Sequence, residues 1–149
     1  IAVAWGSLGA IALDAGNFSP AMQHVRRARE LEPDNLTWRT LEARVLRRQG
    51  KPREAADRLL AIHNFARAQN PGVLTELALC FALLDDPRSA YDEYERATRL
   101  DPSNADMQFE AAVWAERAGL MDEAREHATT GALAGHEGCT KLLERLREN

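Results

Sequence analysis

The sequence predicts an all-α solenoid of four helix–turn–helix repeats stacked in chain order, followed by a C-terminal capping helix. Three residue series carry this prediction. Ala21, Ala55, Ala90 and Ala124 recur at intervals of 34, 35 and 34 residues. Gly16, Gly50 and Gly119 each stand five residues before one of those alanines, and Asp85 fills the remaining place. Pro33 and Pro102, each two residues after a leucine, lie two such periods apart. Three residue types that keep one period make repeated supersecondary units the economical explanation.

The repeats run over about 2–35, 36–70, 71–104 and 105–138, within one solenoid domain over 1–149. Each carries two apolar stripes at helical spacing, broken by a turn. In the first repeat the helices are expected over 2–15 and 20–31. Ser19 is read as the N-cap of the second helix, with Pro20 at its first position. Asn70-Pro71 and Asp86-Pro87 repeat that start signal. Gly16, Gly50 and Gly119 suit the left-handed residue that commonly ends a helix. Gly9, Ala43, Ala78 and Ala112, with the alanine series opposite, let the two helices of a hairpin approach closely. Residues 136–148 read as one more amphipathic helix. Leu142, Leu143 and Leu146 lie on one side and Lys141, Glu144, Arg145 and Arg147 around it, so it is expected to cover the last repeat. Ile1 and Val3 have no such cover. An upstream repeat, in a longer protein of which this is a piece, or self-association through that first helix is expected there.

Bulk properties narrow the function. The net charge is −4 and the pI about 5.6, which disfavours nucleic acid as a partner. No apolar run approaches the roughly 20 residues of a membrane span. Two cysteines, Cys80 and Cys139, form no disulfide framework and fit a reduced, cytoplasmic setting, with the periplasm as the alternative. Richness in Ala, Arg and Leu points to a bacterial source. Cys80 sits on a buried stripe and reads as a packed thiol. His136 and Cys139 have an H-x2-C spacing, but two ligands without a second pair do not make a metal site. No phosphate loop, H-E-x2-H or G-x-S-x-G occurs. No catalytic residue, metal or cofactor is therefore expected.

The repeat resembles the tetratricopeptide repeat (TPR), whose pattern is W-x2-L-G-x2-Y followed by Gly, Ala, an aromatic, Ala and Pro. Repeat one carries Trp5, Leu8, Gly9, Ala12, Gly16, Ala21, Val25, Ala28 and Pro33 at those places. Repeat three carries Leu74, Leu77, Ala78, Phe81, Ala90, Tyr94, Ala97 and Pro102. Repeat four keeps Ala111, Ala112, Ala115, Gly119, Ala124 and Ala128, with Gly131 and His136 replacing the last Ala and the Pro. Repeat two keeps Ala43, Leu46, Gly50, Ala55 and Leu59, but has Glu42 where a leucine is expected. Trp38 and Trp114 fall at places that pack between neighbouring hairpins.

The resemblance implies a scaffold that binds a protein or peptide segment in a groove lined by first helices, not an enzyme. By analogy with the family the groove residues include Val3, Gly6, Ala10, Leu13 and Asp14 in repeat one and Thr40, Arg44, Arg47 and Arg48 in repeat two. Thr75, Leu79 and Leu83 follow in repeat three, and Asp106, Phe109, Val113, Glu116 and Arg117 in repeat four. A partner offering apolar and acidic groups would suit that lining. The chaperone-tail clamp of the family needs Lys, Asn and Arg where this chain has Gly6, Ala10, Leu41, Gly72 and Glu76, so that use is not implied. The alternative is a regulatory or substrate-docking module of a larger enzyme such as a transferase. An RNA-binding pentatricopeptide array is disfavoured by the Trp-Leu-Gly and Pro pattern.

Overall fold

The computed structural model describes residues 1–148 and, among them, ten helices and no strand. They are α1 (Ala2–Asp14), α2 (Phe18–Leu31), α3 (Leu36–Arg48), α4 (Pro52–Leu60), α5 (Asn64–Ala68), α6 (Pro71–Leu83), α7 (Pro87–Leu100), α8 (Ala105–Arg117), α9 (Met121–Leu133) and α10 (Glu137–Glu148). The fold is the all-α TPR-type solenoid expected, with hairpins α1–α2, α3–α4, α6–α7 and α8–α9. The chain divides into two compact units, Ile1–Arg67 and a second from Ala68 onward. No described helix is long and apolar enough to cross a membrane.

Turn chemistry explains the boundaries. Gly16, Gly50 and Gly119 have φ of 76°, 79° and 79°, and Asp85 takes the same left-handed turn at 56°. The aspartate therefore occupies the glycine place geometrically as well as in sequence, one of the few residue types that tolerates it. Asn70 and Asp86 accept from the backbone N–H groups of Val73 and Ser89, both at 3.1 Å, with proline in the first turn as read. The start of α2 differs. Asn17, not Ser19, is the N-cap residue, and Pro20 is the third residue of the helix. The shift of position costs nothing in backbone bonding, because any N–H in the first turn lacks an intrahelical partner.

In the first unit α2 packs on both α1 and α3, and α3 packs on α4. Gly9 is where α1 and α2 meet: a Cβ there would lie 2.6 Å from Val25 Cγ2. Gly6, expected to face the groove, is instead covered by the Trp38 ring, and Leu13 is fully buried. Trp38 Nε1–H donates to Glu32 at 2.7 Å, which fixes the ring and holds that carboxyl below its ordinary range, with Asn35 contributing. Repeat two departs from the sequence reading. Its second helix stops at Leu60, and α5 follows separately. Arg67, standing at the proline place of the repeat, donates to the carbonyls of Leu60 (3.0 Å) and Ile62 (2.9 Å) and so satisfies backbone left open by the early stop. Glu42, at the leucine place, is buried at 3% exposure and pairs with Arg29 and with Arg58 (3.4 Å).

In the second unit each of α6 to α9 packs on the next, and α10 packs on both α9 and α8. Leu74, Leu77, Ala78 and Cys80 of α6 are fully buried, as are Ala90 and Ala97 of α7. Tyr91, Ala112, Ala115, Ala124, Ala128, Leu142 and Leu146 form one continuous cluster, against which Phe109, Val113, Trp114 and Leu143 pack. Gly131 explains itself here: a Cβ would collide with Cys139 Sγ, so the usual alanine is excluded where α9 meets α10.

Candidate partner-binding face

The second unit carries a continuous lining on one helix face. Thr75, Leu79 and Leu83 are spaced by four on α6 and share a face. Thr75 and Leu79 are half-buried, while Leu83 is 60% exposed. The Thr75 end opens into a depression of about 390 Å³, lined also by Tyr94, Asn104, Asp106, Met107, Phe109, Glu110 and His136. From Thr75 to Leu83 the strip covers about 12 Å of helix.

His136 organises the wall of that depression. Its ring stacks on Phe109, with centroids 4.9 Å apart and planes 22° apart. Its Nδ1 accepts from the Cys139 backbone N–H at 3.1 Å, so it caps α10. With Nδ1 an acceptor, the proton of the neutral ring is on Nε2, which faces Asp106 Oδ1 at 3.1 Å. Gly138 leaves room for this pair: a Cβ would lie 2.9 Å from both rings. Cys139 itself is fully buried, and burial pushes its thiol up, as suits a packed thiol rather than a ligand. Among the described residues no group of three or more His, Cys, Asp or Glu is placed to hold a metal ion.

A further residue series makes the role of His136 legible. Asn35, Asn70 and Asn104 precede the first helices of repeats two, three and four, and each side chain accepts from the backbone of the first turn. His136 does the same for α10. The terminal helix thus enters as the first helix of a fifth repeat.

That entry uses up much of the expected lining on α8. Phe109 and Val113 are half-buried against the cluster containing Leu142 and Leu146. Glu116 receives two bonds from Arg145 of α10, at 2.5 and 2.8 Å, and is held below the ordinary carboxyl range chiefly by them. The Arg117 guanidinium lies 4.6 Å over the Trp114 ring.

In the first unit the expected lining is largely occupied. Thr40 is buried and its hydroxyl donates to the Leu36 carbonyl at 2.7 Å. Arg48 donates to the Leu13 carbonyl at 3.1 Å, tying α3 to the end of α1, and its guanidinium lies 5.9 Å from the Phe18 ring centroid. Arg44 is exposed and Arg47 half-buried, and both already hold interactions within the fold. A second depression, of about 410 Å³, is lined by Arg26, Arg29, Glu30, Glu42 and Arg58. Its charge is largely self-paired, because Glu42 holds two of the three arginines.

Comparison with known proteins follows the same lines. The sequence matches the family model described as "Psidin, N-terminal TPR repeats region" over residues 11–129. No curated protein matches it. Among solved structures it is similar to MamA (15% identity, TM-score 0.74, 99% of this chain and 86% of that one). It is also similar to TTC0263, a thermophilic TPR protein of Thermus thermophilus (15%, 0.75, 98% and 81%). A tetratricopeptide repeat protein of Parabacteroides merdae aligns at 17% identity with a TM-score of 0.80, over 99% of this chain and 60% of that one. At such identities the likeness establishes the fold.

Proposed function

This chain belongs to the Psidin N-terminal TPR-repeat family, and on that premise we propose that it is a protein-interaction module whose second unit grips a partner segment along α6. TPR proteins are generally non-catalytic scaffolds, and the reading is of that kind. One observation carries it. Leu83 is a large apolar side chain left 60% exposed at the end of a strip, Leu83–Leu79–Thr75, that runs into a depression. An exposed leucine by itself means little. A leucine in register with a second apolar residue and an open cavity offers a partner a row of contacts at fixed spacing. Leu79 and Leu83 supply the apolar area, and the cavity fixes the register. The partner segment therefore needs an apolar side chain for the Leu79–Leu83 end.

The test is site-specific photo-crosslinking. A photoreactive phenylalanine is placed at Leu83, and in a second protein at Leu133, which is 86% exposed on α9. Adducts to a polypeptide partner are expected from Leu83 and not from Leu133. With the partner in hand, Leu83→Asp is expected to weaken binding about tenfold, near 1.4 kcal/mol. Adducts from Leu133 alone would move the site to the second-helix side and overturn the reading.

A further inference from the structure

We propose that the depression in the second unit receives a cationic side chain, lysine or arginine, from the bound partner segment; this rests on the reading of the α6 strip given above. The sequence alone suggests the reverse, an acidic partner group facing arginines. The cavity has the opposite character. Two carboxylates, Asp106 and Glu110, stand one helical turn apart on α8 in its lining, and no lysine or arginine lines it. Glu110 is half-buried and forms no ion pair among the described residues, so the fold itself supplies no counter-charge. Asp106 has a side chain 93% exposed and touches only the His136 ring among described ion-pairing groups.

The remaining walls suit the same guest. The half-buried Phe109 ring gives the cavity aromatic surface, against which a cation is attracted electrostatically, while Tyr94 is buried in the core. Phe109 cannot turn away freely, since the His136 ring lies stacked on it and Gly138 closes in behind. His136 does not compete with a cation in its neutral form. Its Nδ1 is committed to the Cys139 N–H, and its Nε2–H points to Asp106, orienting that carboxylate. The result is an open depression in which Asp106 is oriented by His136 beside a fixed aromatic wall, which lowers the ordering cost of binding. Thr75 belongs both to this pocket and to the strip, so the two contacts share a register. A span of about 12 Å corresponds to three or four extended residues. The partner should carry its basic residue three to four positions from its apolar one when bound extended.

The probe is chemical and needs no known partner. N-acetyl-arginine amide and N-acetyl-lysine amide are titrated into the full chain and followed by amide NMR shifts, with N-acetyl-citrulline amide as the neutral isostere of the first. Saturable shifts are expected at Thr75, Asp106, Phe109 and Glu110 with the two cations, in the millimolar range typical of a single residue, and none with citrulline. The double variant Asp106→Asn, Glu110→Gln keeps size and fold, and is expected to weaken the cations about tenfold. Equal shifts from citrulline, shifts confined to other surfaces, or an unaltered response in the double variant would each overturn the assignment. Crosslinking at Leu83 separates the two readings. Adducts there with no cation response discard the pocket and keep the strip, whereas a cation response without adducts discards the strip.

Discussion

Glu42 is the residue that departs furthest from its repeat. A carboxylate at 3% exposure would be costly alone, and Arg29 and Arg58 bring their charges to it from α2 and α4. Both arginines retain contact with water, with side chains 30% and 46% exposed. The asymmetry of buried pairs then fixes two outcomes. Glu42→Leu installs the leucine that repeats one and three have there, as Leu8 and Leu77. It leaves two arginines that still reach water, although Arg29 Nε is buried without a hydrogen-bond partner among the described residues. The unfolding free energy is therefore expected to stay within about 1–2 kcal/mol of the parent. Arg29→Ala leaves the acid buried with its longer contact alone, and a loss of about 3 kcal/mol is expected. Urea titration of both variants checks this, and a large loss on Glu42→Leu would contradict it. A second residue reports by pH. His127 Nδ1 faces Gln108 Oε1 at 2.7 Å, while the Gln108 amide donates to the Pro102 carbonyl at 3.0 Å. With the Gln108 oxygen as acceptor, Nδ1–H is the donor, and burial lowers the ring's affinity for a second proton below the ordinary value of 6.5. The unfolded chain binds that proton more readily, so this group's contribution is present above 6.5 and is lost as the pH falls through and below it. His127→Gln should flatten that part of the stability–pH curve, measured by urea unfolding from about pH 7.5 to 5.

At the scale of elements, α10 is the clearest case of local chemistry deciding a junction. Its buried residues Cys139, Leu142 and Leu146 reproduce the three-and-four spacing of Gln108, Ala111 and Ala115 on α8. It enters on a histidine cap and packs where α9 offers Gly131 instead of alanine. Gly131→Ala would gain helix propensity, roughly 0.5–1 kcal/mol, but its Cβ would run into Cys139 Sγ. The clash should win, with a net destabilisation of about 1–3 kcal/mol. Adding Cys139→Ala should recover part of it in a double-mutant cycle read by denaturation; additive losses would mean that the two residues do not meet. What the sequence made legible here was the existence and amphipathic face of the helix, because that is periodicity. The cap is not legible, since histidine is an uncommon cap and its spacing to Cys139 is equally that of a metal-ligand pair. The break after Leu60 is hidden for a similar reason. No proline or glycine marks it, and Arg67 closes it from seven residues downstream, beyond the reach of turn rules.

At the scale of the whole molecule, the period of 34 to 35 residues gave the hairpins and their order, since every repeat must bury the same faces. Which lining residues stay open was not legible, because it depends on tertiary competition. Glu116 and Val113 hold places where the family resemblance implies a groove, yet Arg145 of α10 binds Glu116 and the shared core cluster takes up Val113, while Leu83 stays 60% exposed. The division into two compact units was hidden too, as the alanine series runs through both without interruption. In a solenoid, stability is close to a sum over repeats and their nearest neighbours, so damage should stay local. Leu77 is fully buried on α6 and belongs to the second unit, whereas Phe81, one turn on, is only half-buried. Leu77→Ala is expected to cost about 2–5 kcal/mol, and Phe81→Ala less than the 3–5 kcal/mol or so of a fully buried aromatic. Native-state hydrogen exchange of the intact chain resolves where the Leu77 loss falls. Protection should drop across α6, α7 and α8 by nearly the full amount, and across α1 to α3 by much less. A uniform drop along the chain would show a single cooperative block in spite of the two units, and would transfer the stability of the α6 strip from its own repeats to the whole array.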